Sequence, residues 1–216
     1  MTERDASSSD SSGKYEFTQD WFSGYLPIWN ELLAQAKPSK ILEVGSFEGR
    51  STCYMIEACA AHRDLEIHCV DTWEGGAEHH GAFDMQTVEQ RFKKNTSQAL
   101  EGARHAVNLV VHKERSIVAL TQLMCAGHVS SFDLIYVDGS HQAPDVLSDA
   151  VLSFHLLRTM GLLIFDDYLW SPEPIGKQDP FNMPKPAIDS FVNIYQRKLN
   201  LLSAPLYQIY AQKMAA

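Results

Sequence analysis

The sequence lacks what membrane, disulfide-stabilised and nucleic-acid-binding proteins require. No run approaches the roughly 20 apolar residues that cross a bilayer, and the first fifteen residues hold no apolar signal-peptide core. Its 4 cysteines form no CxxC pair, so neither a disulfide framework nor a zinc site is indicated. Lys and Arg number 18 against 27 Asp and Glu, and the resulting charge of -9 would repel a nucleic acid backbone. We therefore expect a cytoplasmic protein that binds neither membrane nor nucleic acid.

What the sequence does have is the composition of one packed domain. Its 216 residues suit a single core, and a hydrophobic fraction of 45% excludes extensive disorder. Residues 1–13 are polar and serine-rich, so we expect a disordered arm before a single domain over residues 14–216. Aromatic and aliphatic residues then recur near helical spacing up to Pro38, which predicts one or two N-terminal helices. Their aromatic side chains could serve an interface in a homo-oligomer.

The middle of the chain alternates short apolar runs with amphipathic segments. Five runs are predicted to be strands: residues 41–44, 66–70, 107–111, 132–137 and 161–165. Strands separated by helices imply βαβ crossovers and a parallel sheet covered on both faces, so we predict a doubly wound α/β fold. Residues 186–199 indicate a further helix, and residues 201–214 indicate two closing strands.

Glycines and acids follow these strands, at the edge where doubly wound sheets bind ligands. Gly45 and Gly49 lie between the first strand and the next helix, where glycine lets the backbone turn tightly and approach a ligand. The loop lacks the third glycine of the dinucleotide fingerprint and the G-K-[ST] that cradles a triphosphate. Glu43 and Glu48 suit a cationic ligand instead. Asp71 ends the second strand, where a carboxylate can accept both hydroxyls of a ribose.

These residues resemble the class I S-adenosylmethionine-dependent methyltransferases, which share a Rossmann-like sheet. The stretch ILEVGSFEGRST is similar to the first motif of that family, and CVDTWEGG is similar to the strand that ends in its ribose-binding acid. The resemblance implies that S-adenosylmethionine is the cofactor and that Asp71 binds its ribose. It also implies that the first motif shapes the cofactor pocket through Glu43, Gly45, Ser46 and Gly49.

Further positions are candidates for the same pocket. Trp73 would stack on or shield the adenine, or else form a wedge packed under the loop. Ser116 follows the third strand, where the family commonly contacts the adenine, and a helix N-cap is its alternative role. Asp138, directly after the fourth strand, borders the pocket as well.

Three carboxylates follow the fourth and fifth strands. Asp138 comes after the fourth, and Asp166 and Asp167 come after the fifth, so they should converge at one edge of the pocket. Unpaired anions so close would repel each other, which favours a divalent cation among them over a structural network of ion pairs. Oxygen ligands without a thiolate select Mg²⁺, Ca²⁺ or Mn²⁺.

This pattern resembles the metal-dependent O-methyltransferases, including the catechol, caffeoyl-coenzyme A and macrolide-sugar groups. The resemblance implies that Asp138, Asp166 and Asp167 hold the metal, Mg²⁺ being the first expectation, and that the metal binds adjacent hydroxyls of the acceptor. Where the catechol and caffeoyl groups place a lysine base, this chain has His141. An imidazole titrates near neutrality and could take the acceptor's proton, but His141 could also be a ligand or hydrogen-bond a loop.

The sequence thus predicts an enzyme that methylates a hydroxyl of a small molecule: a sugar, a phenolic or a polyketide natural product. Metal-independent N- or O-methylation and a non-catalytic cofactor-binding protein are the alternatives. The missing glycine disfavours a nicotinamide oxidoreductase. Residues 74–84 are predicted to form a mobile lid, and residues 168–185 a functional loop in which Tyr168 and Trp170 contact the acceptor.

Overall fold

The computed structural model describes residues 13–76, 79 and 81–216. Nearly all of the predicted disordered arm, and residues 77, 78 and 80 of the predicted lid, lie outside the described residues. Within the part of the chain that is described, no helix is both long and apolar enough to cross a membrane.

Seven strands of the described residues form one sheet. They are β1 Lys40–Val44, β2 Leu65–Asp71, β3 Val107–Lys113, β4 Phe132–Val137, β5 Leu157–Phe165, β6 Leu199–Leu201 and β7 Ile209–Lys213. Their spatial order is β3-β2-β1-β4-β5-β7-β6. Strands β1 to β5 pair in parallel, whereas β7 pairs antiparallel with β5 and β6. The predicted doubly wound α/β sheet is confirmed, and the two closing strands complete it.

In the part of the chain that the structure describes, six α-helices cover the two faces of this sheet. They are α1 Leu26–Ala36, α2 Arg50–Cys59, α3 Met85–Glu101, α4 Ser116–Cys125, α5 Ala143–Leu156 and α6 Pro184–Tyr195. One apolar core contains Trp29 of α1 and Phe92 of α3, and the other contains Leu120, Phe154 and Phe191 of α4 to α6. The crossovers therefore place α1 to α3 on one face and α4 to α6 on the other.

Two elements differ from the sequence prediction. β5 begins at Leu157, directly after α5, because buried Leu157 pairs with Phe132 at the start of β4 across an irregularity in the register. β6 begins at Leu199, inside the segment that we expected to be helical. The N-terminal helix is present, but Phe22 and Trp29 are buried within this chain, so a role of these rings in an oligomer stays a prediction.

Candidate active site

Four parallel strands end at the same level of the sheet and bring their following residues to one edge. These residues are Gly45 after β1, Asp71 at the end of β2, Asp138 after β4 and Asp166 after β5. The direction of the crossovers reverses between β1 and β4, which is where such sheets form a ligand crevice. A cavity of about 1360 Å³ opens there.

Glycine is required at position 45 because the loop after β4 passes close to its backbone. Its φ is +88°, and a Cβ at this position would lie 1.9 Å from the carbonyl oxygen of Asp138. The Asp138 N–H donates to Val44 O at 2.7 Å, and the Gly45 N–H donates to Val70 O at 2.8 Å. We expected glycine here for approach to a ligand, whereas the structure gives a packing reason.

Glu43 does not face the cavity, contrary to the expectation that it shapes the cofactor pocket directly. Its side chain is fully buried and accepts hydrogen bonds from Ser46 Oγ at 2.7 Å, from Ser51 Oγ at 2.5 Å and from Thr52 Oγ1. Burial raises the pKa of this carboxyl although these hydroxyls oppose the shift. Glu43 therefore ties β1 to the first turn of α2 beneath the glycine loop.

Glu48, the other acid of this loop, also has hydrogen-bond and ion-pair partners within the chain. Glu48 accepts from the N–H and Oγ1 of Thr18, at 2.6 and 2.8 Å, and pairs with Arg91 at 2.9 Å. Gly49 is the N-cap of α2 with a φ of +83°, and a Cβ there would lie 2.9 Å from the Phe92 ring. Glu43 and Glu48 are thus both hydrogen-bonded within the chain, and Glu48 also lines the cavity, so their suitability for a cationic ligand stays a prediction.

Asp71 lines the cavity and fixes the glycine loop. Its Oδ2 accepts the N–H groups of Ser46 and Phe47, each at 2.9 Å, and its Oδ1 accepts that of Trp73 at 2.7 Å. A carboxylate has about four lone-pair positions, so roughly one remains for a ligand hydroxyl.

Trp73 packs as a wedge. It is only 5% exposed, its Nε1–H donates to Phe47 O at 2.9 Å, and its ring contacts that of Phe92 with 4.8 Å between centroids. It is not among the described residues that line the cavity. The structure thus corrects the adenine-stacking interpretation in favour of the packing one.

Ser116 lines the cavity as the first residue of α4, with Arg115 at the N-cap position, so the N-cap interpretation is wrong. It lies beside Asp149 of α5, a buried acid that also lines the cavity. Burial raises the pKa of Asp149 to about 7. Sequence reasoning missed this residue, although an aspartate on the apolar side of α5, next to Val146 and Ala150, was a signal that could have found it.

The end of the cavity beyond β4 and β5 contains two carboxylates and an imidazole. Asp138, His141 and Asp167 each offer a ligand atom within 4.8 Å of the others. His141 Nε2 lies 2.8 Å from Asp167 Oδ2, and the imidazole stacks on Trp170 with 4.2 Å between centroids. Asp167 has a φ of +53°, an uncommon conformation of the kind that occurs at functional sites. We call these three residues the acid–histidine group.

Asp166 is the predicted ligand that the structure does not bring into this group. Its Oδ1 accepts the N–H of Asp167 at 2.7 Å, and its Oδ2 accepts from Gln208 Nε2 at 2.7 Å and from the Tyr136 hydroxyl. Gln208 in turn accepts from Trp29 Nε1 at 3.0 Å. Because both oxygens are engaged, the candidate group for a metal contains His141 in place of Asp166.

Crowded acids make this end of the cavity suited to a cation. The pKa of Asp138 is raised well above its usual range by burial and by Asp166 and Asp167, although His141 opposes the shift. Burial, with Asp167 beside it, raises the pKa of Asp166 to about 7. The donors present therefore fit a divalent ion: the two carboxylates suit Mg²⁺, Ca²⁺ or Mn²⁺, and the imidazole also admits transition ions.

Aromatic rings lie at the cavity wall, and sequence reasoning missed most of them. Trp21, which is 55% exposed, and Phe47 line the cavity with 5.1 Å between their centroids. Trp170 lines it beside His141, and its predicted contact with the acceptor stays a prediction. Tyr168 is not among the described residues that line the cavity, and its hydroxyl donates to Asp189 Oδ1 of α6 at 2.7 Å.

A sequence profile described as a methyltransferase domain matches residues 42–168, which is more than half of the chain and includes every residue of the acid–histidine group. The chain belongs to this methyltransferase family. The family inferred from the glycine loop and from Asp71 is thereby confirmed.

Solved structures share the fold of this methyltransferase. The O-methyltransferase TomG of Streptomyces achromogenes, solved with S-adenosylmethionine, is 16% identical with a TM-score of 0.67 over 97% of this chain and 92% of its own. An O-methyltransferase of Bacillus cereus, solved with S-adenosylhomocysteine, is 17% identical with a TM-score of 0.58 over 90% of this chain and 83% of its own. The protein y4gI of Sinorhizobium fredii is 28% identical over 146 residues. That match covers 67% of the methyltransferase chain and 14% of y4gI.

Proposed function

We propose that this methyltransferase transfers a methyl group from S-adenosylmethionine to a hydroxyl of a small molecule. The observation that carries the proposal is one cavity that runs from Asp71 and the glycine loop to the acid–histidine group. Its volume of about 1360 Å³ exceeds the roughly 300–1000 Å³ of a pocket for one small ligand, so a cofactor and an acceptor fit together. The bound cofactors of TomG and of the Bacillus cereus enzyme support the choice of methyl donor.

The cofactor would lie with its ribose at Asp71 and its sulfonium facing the acid–histidine group. Ser46 and Phe47 hold Asp71 in place through their backbone N–H groups, so the carboxylate is fixed before the ligand arrives. The sulfonium carries a positive charge, and the acids at the other end of the cavity are the groups that favour it there. The reacting methyl would thus face the hydroxyl of the acceptor.

A divalent ion held by Asp138, His141 and Asp167 is the first arrangement that we propose for the acceptor end. When bound, it would supply the positive charge that favours ionisation of the acceptor hydroxyl. Asp166 would be a positioning residue. Tyr136 and Gln208 fix its carboxylate, which in turn accepts the backbone N–H of Asp167.

Transfer without a metal is the second candidate, and the 2.8 Å contact between His141 and Asp167 favours it. When His141 takes the acceptor's proton, the neighbouring Asp167 carboxylate would stabilise the imidazolium that forms. The acceptor oxygen then forms a bond to the methyl carbon, and the carbon–sulfur bond breaks with its electron pair passing to sulfur. Stacking on Trp170 restrains the imidazole plane during this step.

Release of S-adenosylhomocysteine tests the proposed function. The chain is incubated with S-adenosylmethionine and separate sets of catechols, sugars and polyketide phenols, and both products are followed by mass spectrometry. We expect methylation of oxygen in at least one set and a loss of about 10²- to 10⁴-fold in kcat for His141→Ala, with affinity for S-adenosylhomocysteine within a few-fold. A chain that binds neither S-adenosylmethionine nor its product contradicts the proposal.

Manganese binding separates the two arrangements. Electron paramagnetic resonance of Mn²⁺ with the wild type should report one bound ion, and Asp167→Asn should abolish it. Asp189→Asn is the matched control, because Asp189 pairs with Lys185 away from the acid–histidine group and should leave the ion bound. Methyl transfer that persists in EDTA, with no Mn²⁺ bound, would support the metal-free arrangement.

A further inference from the structure

α5 carries a buried carboxyl group that neither the glycine loop nor the acid–histidine group uses. Asp149 is 1% exposed and lines the cavity. Among the described residues, neither of its oxygens has a hydrogen-bond partner of good geometry, although the Ser116 side chain lies beside it. An unpartnered buried carboxyl group costs several kcal/mol in general, so its place at the wall of a ligand cavity requires an explanation.

The position of Asp149 indicates which part of the ligand it meets. The reacting end of the proposed cofactor faces the acid–histidine group beyond β4 and β5, so its nucleoside end extends over β2 towards β3. The first residues of α4 lie there, and Ile117, an exposed aliphatic residue of α4, lines the same cavity and offers an apolar surface to a flat ring. A purine at that wall would present its polar edge to Asp149.

We infer that Asp149 recognises the adenine of the cofactor by accepting a hydrogen bond from its exocyclic amino group. This inference rests on the proposed function, because it requires S-adenosylmethionine in the cavity. A carboxyl oxygen accepts this bond in either protonation state, and in the protonated state the O–H can also donate to a ring nitrogen. Binding would therefore give the unpartnered oxygens of Asp149 their hydrogen bonds, and a base with oxygen in place of the amino group would set an acceptor against the ionised carboxylate.

Two nucleosides and three variants test the inference. Calorimetry compares S-adenosylhomocysteine with S-inosylhomocysteine, in which an oxygen replaces the amino group. The wild type should prefer the adenosine compound by about 10- to 100-fold, and Asp149→Ala should reduce this preference to about 3-fold or less. Ser153→Ala is the matched control: Ser153 is also buried on α5 with an unpartnered hydroxyl among the described residues, but does not line the cavity, so the preference should persist.

Asp149→Asn gives a readout that a structural role would not produce. An amide can turn its NH₂ towards the oxygen of hypoxanthine, so this variant should bind S-inosylhomocysteine more tightly than the wild type does. Equal binding of both nucleosides by the wild type, or an unchanged preference in Asp149→Ala and Asp149→Asn, would overturn the inference while leaving the proposed function intact. A wild type that binds neither nucleoside would overturn both.

Discussion

At the residue scale, the buried and partly buried acids of this methyltransferase differ in the groups that stabilise their carboxylates. Glu43 accepts hydrogen bonds from three hydroxyl groups, and Asp71 accepts three backbone N–H groups. Asp138 and Asp166 crowd each other, and the oxygens of Asp149 have no hydrogen-bond partner of good geometry among the described residues. Glu43 has a structural role beneath the glycine loop, and Asp166 is fixed by Tyr136 and Gln208. Asp71, Asp138 and Asp149 line the cavity, where a ligand can complete their hydrogen bonds.

Removal of the charge of Asp149 should stabilise the free protein at alkaline pH. Its pKa of about 7 in the folded chain lies above the roughly 3.9 of an unfolded aspartate, so this carboxyl disfavours folding increasingly as the pH rises towards 7. The free energy of unfolding of Asp149→Asn, relative to the wild type, should therefore rise by about 2–3 kcal/mol between pH 5 and pH 8. Urea unfolding without cofactor at several pH values measures this difference.

Asp189→Asn is the control for that experiment. Asp189 is partly exposed, and its neighbour Lys185 helps to hold its pKa below the usual range, so it does not titrate between pH 5 and pH 8. Its difference from the wild type should stay constant over this interval. A constant difference for Asp149→Asn as well would show that the Asp149 carboxyl is not destabilised by burial.

Residue types at strand ends could be predicted from the sequence, but side-chain directions could not. Asp71 and Asp138 follow from the strand pattern alone. Asp166 and Asp167 are adjacent, and the choice between them depends on Gln208, which lies 42 residues further along the chain and hydrogen-bonds Asp166. The direction of Trp73 likewise depends on Phe92 of α3, a contact that no local pattern encodes.

At the scale of elements, the loop after β1 is held by contacts with the loop after β4. Gly45 passes against the backbone of Asp138, and Gly139 lies close to the side chain of Val44 on the other side. The glycine loop and the acid–histidine group are therefore in direct contact, because the backbone of Asp138 packs against Gly45 and its side chain belongs to the acid–histidine group. A change at Gly45 should disturb both ends of the cavity.

Gly45→Ala tests this connection. A Cβ at 1.9 Å from Asp138 O, on a residue with a φ of +88°, cannot be accommodated without displacing the β4 loop. We expect destabilisation by about 3 kcal/mol or more in thermal or urea unfolding, since several strain terms add. Gly24→Ala, where an added Cβ meets no atom within 4 Å, should change stability by no more than about 0.5 kcal/mol. Similar stabilities for the two variants would show that the loops are not packed as described.

Element types followed from the sequence better than element boundaries did. The alternation of apolar runs and amphipathic segments gave five parallel strands, because strands buried on both faces contain few polar residues. β5 was predicted too short because its first residues, Arg158 to Met160, are largely exposed and follow a buried Leu157 in an irregular register with β4.

At the scale of the whole molecule, the sheet divides the chemistry between two sides of the β1–β4 switch point. Asp71 and Ser116 lie on the β2 and β3 side, and the acid–histidine group lies on the β4 and β5 side. The strand order inside this frame could be anticipated from the βαβ pattern. The insertion of β7 between β5 and β6 could not, because it depends on antiparallel pairing that brings Gln208 to Asp166.

Saturation with cofactor should stabilise the whole domain. A ligand that binds only the folded chain adds about 2.7 kcal/mol to the free energy of unfolding at one hundred times its dissociation constant. Urea unfolding with S-adenosylhomocysteine should show this increase, and NAD at the same concentration should give none. An equal increase with NAD would indicate a general nucleotide site.

A crystal structure of the chain with S-adenosylhomocysteine and Mn²⁺ would show whether one cavity holds both the nucleoside and the metal. We expect ribose at Asp71, adenine beside Asp149, and sulfur facing a manganese ion bound by Asp138, His141 and Asp167. The anomalous signal of manganese would locate the ion without reference to the protein. Nucleoside density outside the cavity, or sulfur directed away from the acid–histidine group, would contradict the proposed function.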